Sequence, residues 1–385
     1  MNKAFDTIVT VFTGPVAQLG ERRVRNAEVV GSIPTRSTIE NCSFLGSNQA
    51  QRLSIPIRST IKKPQPKRRL FSPSHFTFIF IFMLLPLIAF GQSYTGPLFD
   101  AHAHVKPMGA GMTNPMGHRS GYGAPDDDGA SQANLMDAER RAGIKGAFLF
   151  GQEQLTLAEQ ARNPAFVFPF VNIPMDHETH QLLLTEDTLA QIETQLKTGH
   201  MFGIGEMSLR HAPLIKKGLP ETRHPADGPI ALKIYQLAAK YHVPVNIHFE
   251  HEYVDELYRA LAQSPSSTII WAHCGDAPAS LVAAAMRKYP NLYADLSCRN
   301  PILRDNPKKQ LSLSNDDERI LPEWKALLIE FPDRFLLGFD LWVPDRIGYL
   351  DELVAYDRNV LGQLPLPVAE KIAFRNAEKL IEIKP

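Results

Sequence analysis

His102 and His104, two places apart in the apolar segment LFDAHAHV (98–105), are the residues from which a chemical site can first be read in this chain. Successive side chains of a strand point to opposite faces, so the two imidazoles share one face and Ala103 and Val105 take the other. Two imidazoles aimed at one point supply the first two ligands of a divalent metal, although alone they serve equally as a hydrogen-bonded pair in a core. Four more polar residues interrupt apolar runs downstream: Glu206 in FGIGEMSL, His248 in VPVNIHFE, His273 in IIWAHCGD and Asp340 in FLLGFDLW. Each has a plain structural alternative, whether a satisfied core histidine, a paired acid or a turn cap. Together they predict a metal site, because buried ionisable groups cost several kcal/mol each unless something pairs them. Neutral imidazoles with carboxylates suit one or two divalent ions, zinc first and manganese, iron or nickel also.

The elements that would position these residues are βα units. From Pro97 onward, apolar runs near 98–105, 146–151, 166–173, 201–208, 243–249, 268–274, 292–297 and 335–341 read as strands. Between them, segments such as TEDTLAQIETQLKTG, IALKIYQLAAKYH and PASLVAAAMRKYP carry apolar residues at helical spacing. Eight strands with crossover helices predict an α/β fold, a (β/α)8 TIM barrel with a single catalytic domain over 92–385, roughly 290 residues against the ~250 usual for that fold. No Gly-rich dinucleotide fingerprint supports a doubly wound sheet instead. All six polar residues fall toward the C-terminal ends of their strands, the face where such barrels build sites. Two connections at that face are long: Lys106 to Ala130, Gly-rich and suited to a lid, and Arg299 to Arg319.

The first ninety residues differ in character. A basic stretch, KKPQPKRRL, precedes the apolar run Phe76 to Phe90, the two parts of a secretory signal with cleavage expected before Gln92. A membrane anchor would need about 20 apolar residues, and this run is shorter and contains a proline. Further upstream, VAQLGERRVRNAEVVGSIPTRST (16–38) is similar to the conceptual translation of a transfer RNA gene, so residues 1–50 are expected to be spurious and 51–91 to be the signal region. Export to a periplasmic or extracellular compartment follows as an expectation. Beyond the signal the chain keeps Cys274 and Cys298, at the ends of successive predicted strands, which leaves a bridge or two buried thiols open. Lys plus Arg equals Asp plus Glu at 41 each, and no basic patch with interleaved aromatics occurs after the signal, so a small-molecule substrate is expected and no nucleic acid. Oligomeric state is not legible.

With this order of HxH, strand-five and strand-six histidines, strand-eight aspartate and the closing AEKIAFRNAEKLI, the chain from Pro97 onward resembles the amidohydrolase superfamily, in particular amidohydrolase family 2. The resemblance implies that His102, His104, His248 and Asp340 hold a metal, and that His273 binds a second ion or polarises the substrate. Glu206 falls where some relatives carry a bridging carboxylated lysine and others, the TatD-like group, a glutamate. It also implies hydrolysis of an ester, amide or phosphoester, with Asp340 as general base and then general acid and His273 stabilising the oxyanion. Arg210, His211 and Arg299 are weaker candidates for binding a substrate anion, and Glu250 and His251 for supporting the ligands. The alternative within the family is a metal-dependent decarboxylase of the amino-carboxymuconate or aromatic acid type; outside catalysis it is a periplasmic binding protein on the same barrel.

Overall fold

Short runs of β-branched and aromatic residues alternate with amphipathic segments, and in a computed structural model they become a parallel barrel wrapped by helices. The structure describes residues 93–105, 128–176, 178–213, 220–303, 312–342, 346 and 348–382. The expectations for the transfer RNA-like segment, the signal and most of the Lys106 to Ala130 loop lie outside the described residues, as do 304–311 of the second long connection.

The strands are β1 (Leu98–Val105), β2 (Ile144–Gly151), β3 (Val167–Val171), β4 (Gly203–His211), β5 (Thr222–Arg223), β6 (Val245–Phe249), β7 (Ile269–Trp271), β8 (Leu292–Asp295) and β9 (Phe335–Leu336). All but β5 pair in parallel in the order β1-β2-β3-β4-β6-β7-β8-β9. Two hydrogen bonds join the ends of that path, Ala101 N–H to Leu337 O at 2.8 Å and Asp340 N–H to His102 O at 2.9 Å. They bring the first and last ligand-bearing segments side by side. β5, absent from the sequence reading, pairs antiparallel with the end of β4, Arg210 opposite Arg223 and His211 opposite Thr222.

The outer layer includes α1 (Asp128–Arg141), α2 (Glu153–Arg162), α3 (Glu186–Lys197), α4 (Pro229–Lys240), α5 (Val254–Gln263), α6 (Ala279–Lys288), α7 (Pro322–Glu330) and α8 (Leu350–Gly362). Pro229 and Pro322 open α4 and α7, where a missing N–H costs nothing, and Thr185 caps α3 by accepting from Thr188 N–H. α6 buries Ala279, Val282, Ala283, Ala285 and Met286, one stripe at helical spacing against the sheet. The sequence reading missed α2 and α8.

The barrel interior beneath the site is aromatic. Phe148, Phe150 and Phe170 are fully buried and interlock with centroids 4.9 and 5.0 Å apart, and the His102 ring lies edge-on to Phe150 at 5.1 Å. A dry, rigid floor under an imidazole fixes its direction.

Four expected strands end early: the third and seventh by two residues, at Val171 and Asp295, the sixth, expected through Cys274, at Trp271, and the eighth, expected through Leu341, at Leu336. The sixth and eighth are the most shortened. The reason is backbone handedness: His273, Cys274, Gly275 and Asp340 all have φ between 53° and 60°, which turns the chain out of the ladder.

Candidate metal centre

β1 delivers His102 and His104 from one face, as its alternation requires, with their Nε2 atoms 3.1 Å apart. Glu206 on β4 reaches both: its Oε2 lies 3.5 Å from each Nε2. The other oxygen of the same carboxylate, Oε1, lies 3.1 Å from Nδ1 of His248 on β6 and 3.6 Å from Nε2 of His273 after β7. Asp340, beyond β9, faces His104 with Oδ1 at 3.2 Å and His102 at 3.8 Å. The six residues read from the sequence therefore meet at one mouth of the barrel, with Glu206 between the β1 pair and the β6 and β7 pair.

Their neighbours aim them. Asp295, at the end of β8, takes a hydrogen bond from His102 Nδ1 at 3.0 Å, leaving Nε2 for the centre, and Ser297 Oγ sits 2.7 Å from His273 Nδ1 with the same effect. Asp295 is fully buried and also accepts from His273 N–H at 3.0 Å and from Ser297, so one carboxylate indexes two ligand-bearing segments.

A family model described as "Amidohydrolase" matches residues 99–383, which spans every one of these strands. The chain belongs to this amidohydrolase family. No curated protein matches it. Among solved structures it is similar to an uncharacterized TIM-barrel protein from Bordetella bronchiseptica, at 17% identity and TM-score 0.51, over 74% of this chain and 98% of that one. It is also similar to a putative 2-pyrone-4,6-dicarboxylic acid hydrolase from Pseudomonas putida, at 15% identity and TM-score 0.49 over 74% and 97%. A 2,6-dihydroxybenzoate decarboxylase from Rhizobium follows, at 14% and 0.46 over 75% and 99%.

Within the amidohydrolase barrel the electrostatics suit a cation. Burial raises the proton affinity of Glu206 and Asp340, yet both carboxyls are held well below the usual range, Glu206 by His102 and Asp340 by Arg346 and His104. Burial lowers the pKa of His104 and so favours the neutral form, in which imidazole ligates a metal. For His102 burial works the same way, but the carboxylates of Asp295 and Glu206 outweigh it and raise its affinity for a proton. The carboxylates thus favour positive charge at this mouth of the barrel. The donor types, their convergence and the support behind His102 and His273 fit one or two divalent ions.

The two arginines proposed from sequence have partners of their own. Arg210 forms a bidentate pair with Glu256 at 2.7 and 3.1 Å and lies over the Tyr253 ring at 4.5 Å. Arg299 is buried, donates to Ala277 O at 2.8 Å and packs 4.6 Å over Trp324. Both tie the loops of the rim together. His211 does reach the site, stacked on His248 with centroids 4.2 Å apart, and burial lowers its pKa to about 4. Glu250 supports that loop by accepting from Ala212 N–H at 2.9 Å, and His251 contacts Gly275 O at 3.2 Å.

Sequence reasoning missed Asp295, Cys298 and Arg346. Asp295 had a signal, a buried acid ending the apolar run Leu292–Ala294. Cys298 was read only as a thiol at a strand end, and Arg346, beyond the last strand, had no signal. Cys274 and Cys298 are not bridged: Cys274 Sγ donates to Asp295 O at 3.3 Å, and Cys298 Sγ to Asp340 Oδ2 at 3.0 Å.

Proposed function

We propose that this protein is a metal-dependent hydrolase that uses water to cleave an ester, amide or phosphoester bond of a small substrate. The observation that carries the reading is the span of Glu206, whose two oxygens face separate pairs of histidines. One carboxylate between two donor groups provides for two ion positions, an arrangement suited to activating water for hydrolysis. His102, His104 and Asp340 would hold one ion, His248 and His273 the other, with Glu206 between them and zinc the best chemical match.

Bound there, a divalent ion supplies Lewis acidity and lowers the pKa of water toward neutrality. The chain's own groups do the rest. Asp340, kept ionised by Arg346 and His104, takes the proton of the attacking water and returns it to the leaving group. His273, its ring fixed from behind by Ser297, orients the scissile group and its developing negative charge. Glu206 holds the histidines of β1 and β6 in register.

The proposal extends to a small-molecule substrate and to export, with the mature chain starting at Gln92. Among the described residues no helix is long and apolar enough to cross a membrane. The test is a panel of esters, amides, phosphoesters and aromatic carboxylic acids assayed for hydrolysis and for carbon dioxide. Hydrolysis that is lost in Asp340→Asn supports the reading; carbon dioxide release alone replaces it with a decarboxylase.

A further inference from the structure

We propose that Cys298 is a donor in this centre: beside His273 it completes the second ion position as a thiolate and gives it a preference for thiophilic ions, with Asp340 facing the first position through Oδ1 and this one through Oδ2. This rests on the metal-dependent reading above and makes it more specific, since that reading uses only nitrogen and oxygen donors.

Three observations point to Cys298. The ligand atoms of His273, Cys298 and Asp340 all lie within 4.8 Å of one another. The closest pair, Cys298 Sγ and Asp340 Oδ2, is 3.0 Å apart, and donors on one tetrahedral zinc ion are about 3.5 Å apart given bonds of about 2.0 and 2.3 Å. Small side-chain adjustments close that gap.

Second, all three residues hold left-handed backbone, with φ of 54°, 59° and 54°. For a residue with a Cβ this conformation is unfavourable. The three lie beyond the ends of three different strands, β7, β8 and β9, and the shared handedness turns each back over the barrel mouth. His102, His104, Glu206 and His248 reach the centre without it.

Third, the two cysteines differ in surroundings. Cys274 is fully buried and donates to a backbone carbonyl, as a structural thiol does. Cys298 is only partly buried, and its sulfur faces a carboxylate and a guanidinium: Arg346 Nη1 is 3.2 Å from Sγ and 2.5 Å from Asp340 Oδ2. A corner made of sulfur and carboxylate already draws a cation. An ion binding there takes over the charge that Arg346 supplies, exchanges the S–H bond for a sulfur–metal bond and releases one proton to solvent.

The experiment is cobalt(II) titration of the metal-stripped full chain, followed by near-ultraviolet absorption and by metal content. A sulfur-to-cobalt charge-transfer band is expected in the wild type and in Cys274→Ser, and its absence in Cys298→Ser. That variant should also bind zinc at the second position about 10-fold more weakly or worse, with manganese affinity nearly unchanged. Two cobalt ions bound without the band, or a band that survives in Cys298→Ser, overturns the proposal while leaving the metal-dependent reading intact. No cobalt bound to the wild type overturns both. Should Cys298→Ser fail to fold by circular dichroism, alkylation of the wild type decides: zinc should protect Cys298, and equal labelling with and without zinc contradicts its role.

Discussion

Asp295 touches no position where a substrate would react, yet it sets the direction of two ligand-bearing segments. It fixes the His102 ring through Nδ1 and the His273 backbone through its N–H. Asp295→Asn keeps the shape but loses the acceptor strength that orients His102. The expected result is metal affinity lower by about 10- to 100-fold with the fold retained, measured by competition with a chromophoric chelator. All six ligand candidates were legible because each is a polar residue interrupting an apolar strand. The partners of Arg210 and Arg299 were not legible, because a cation near a strand end looks the same in sequence whether it faces a substrate or, as here, Glu256 and Trp324.

Elements were legible in proportion to their regularity. The alternation in β1 and the helical spacing in α3, α4 and α6 are periodic, so the barrel could be read. The turns that carry His273 and Asp340 are not, since left-handed φ at histidine, cysteine and aspartate leaves no compositional mark. Gly275 is the exception in that turn: it has φ of +60°, and a Cβ there would run into the Trp271 indole. The indole cannot yield easily because its N–H donates to Phe249 O at 2.6 Å. Gly275→Ala is expected to destabilise the protein by about 1–3 kcal/mol and to weaken metal binding through His273, read from denaturant melts with and without zinc. Equal melts for variant and wild type would show that the turn does not need glycine.

At the scale of the whole molecule, the barrel buries acids for which desolvation outweighs any neighbouring cation. Burial pushes Glu139 and Asp357 well above the usual carboxyl range and Asp100 to about 7, and Asp100 further raises both of the others. Neither oxygen of Glu139 has a hydrogen-bond partner among the described residues. In each case the folded pKa exceeds the unfolded one, so the folded state holds more protons in between, and stability falls as pH rises from about 4 through 7. Asp357→Asn should therefore flatten the profile, gaining about 1–3 kcal/mol over wild type at pH 8 and nothing at pH 4.5, as measured by denaturant melts across pH. An Asp357→Asn profile that runs parallel to the wild type from about pH 4.5 to 8 would contradict this assignment.

The central claim is that six side chains from five strand ends form one centre for divalent ions, with Glu206 between two positions. Its most direct test is the metal content of the purified full chain, by plasma mass spectrometry after reconstitution with zinc, beside His102→Ala and Glu206→Gln. Two ions per chain, falling to one or fewer in each variant, is the predicted result. A wild type that binds no divalent ion, or variants that keep the full complement, would contradict it.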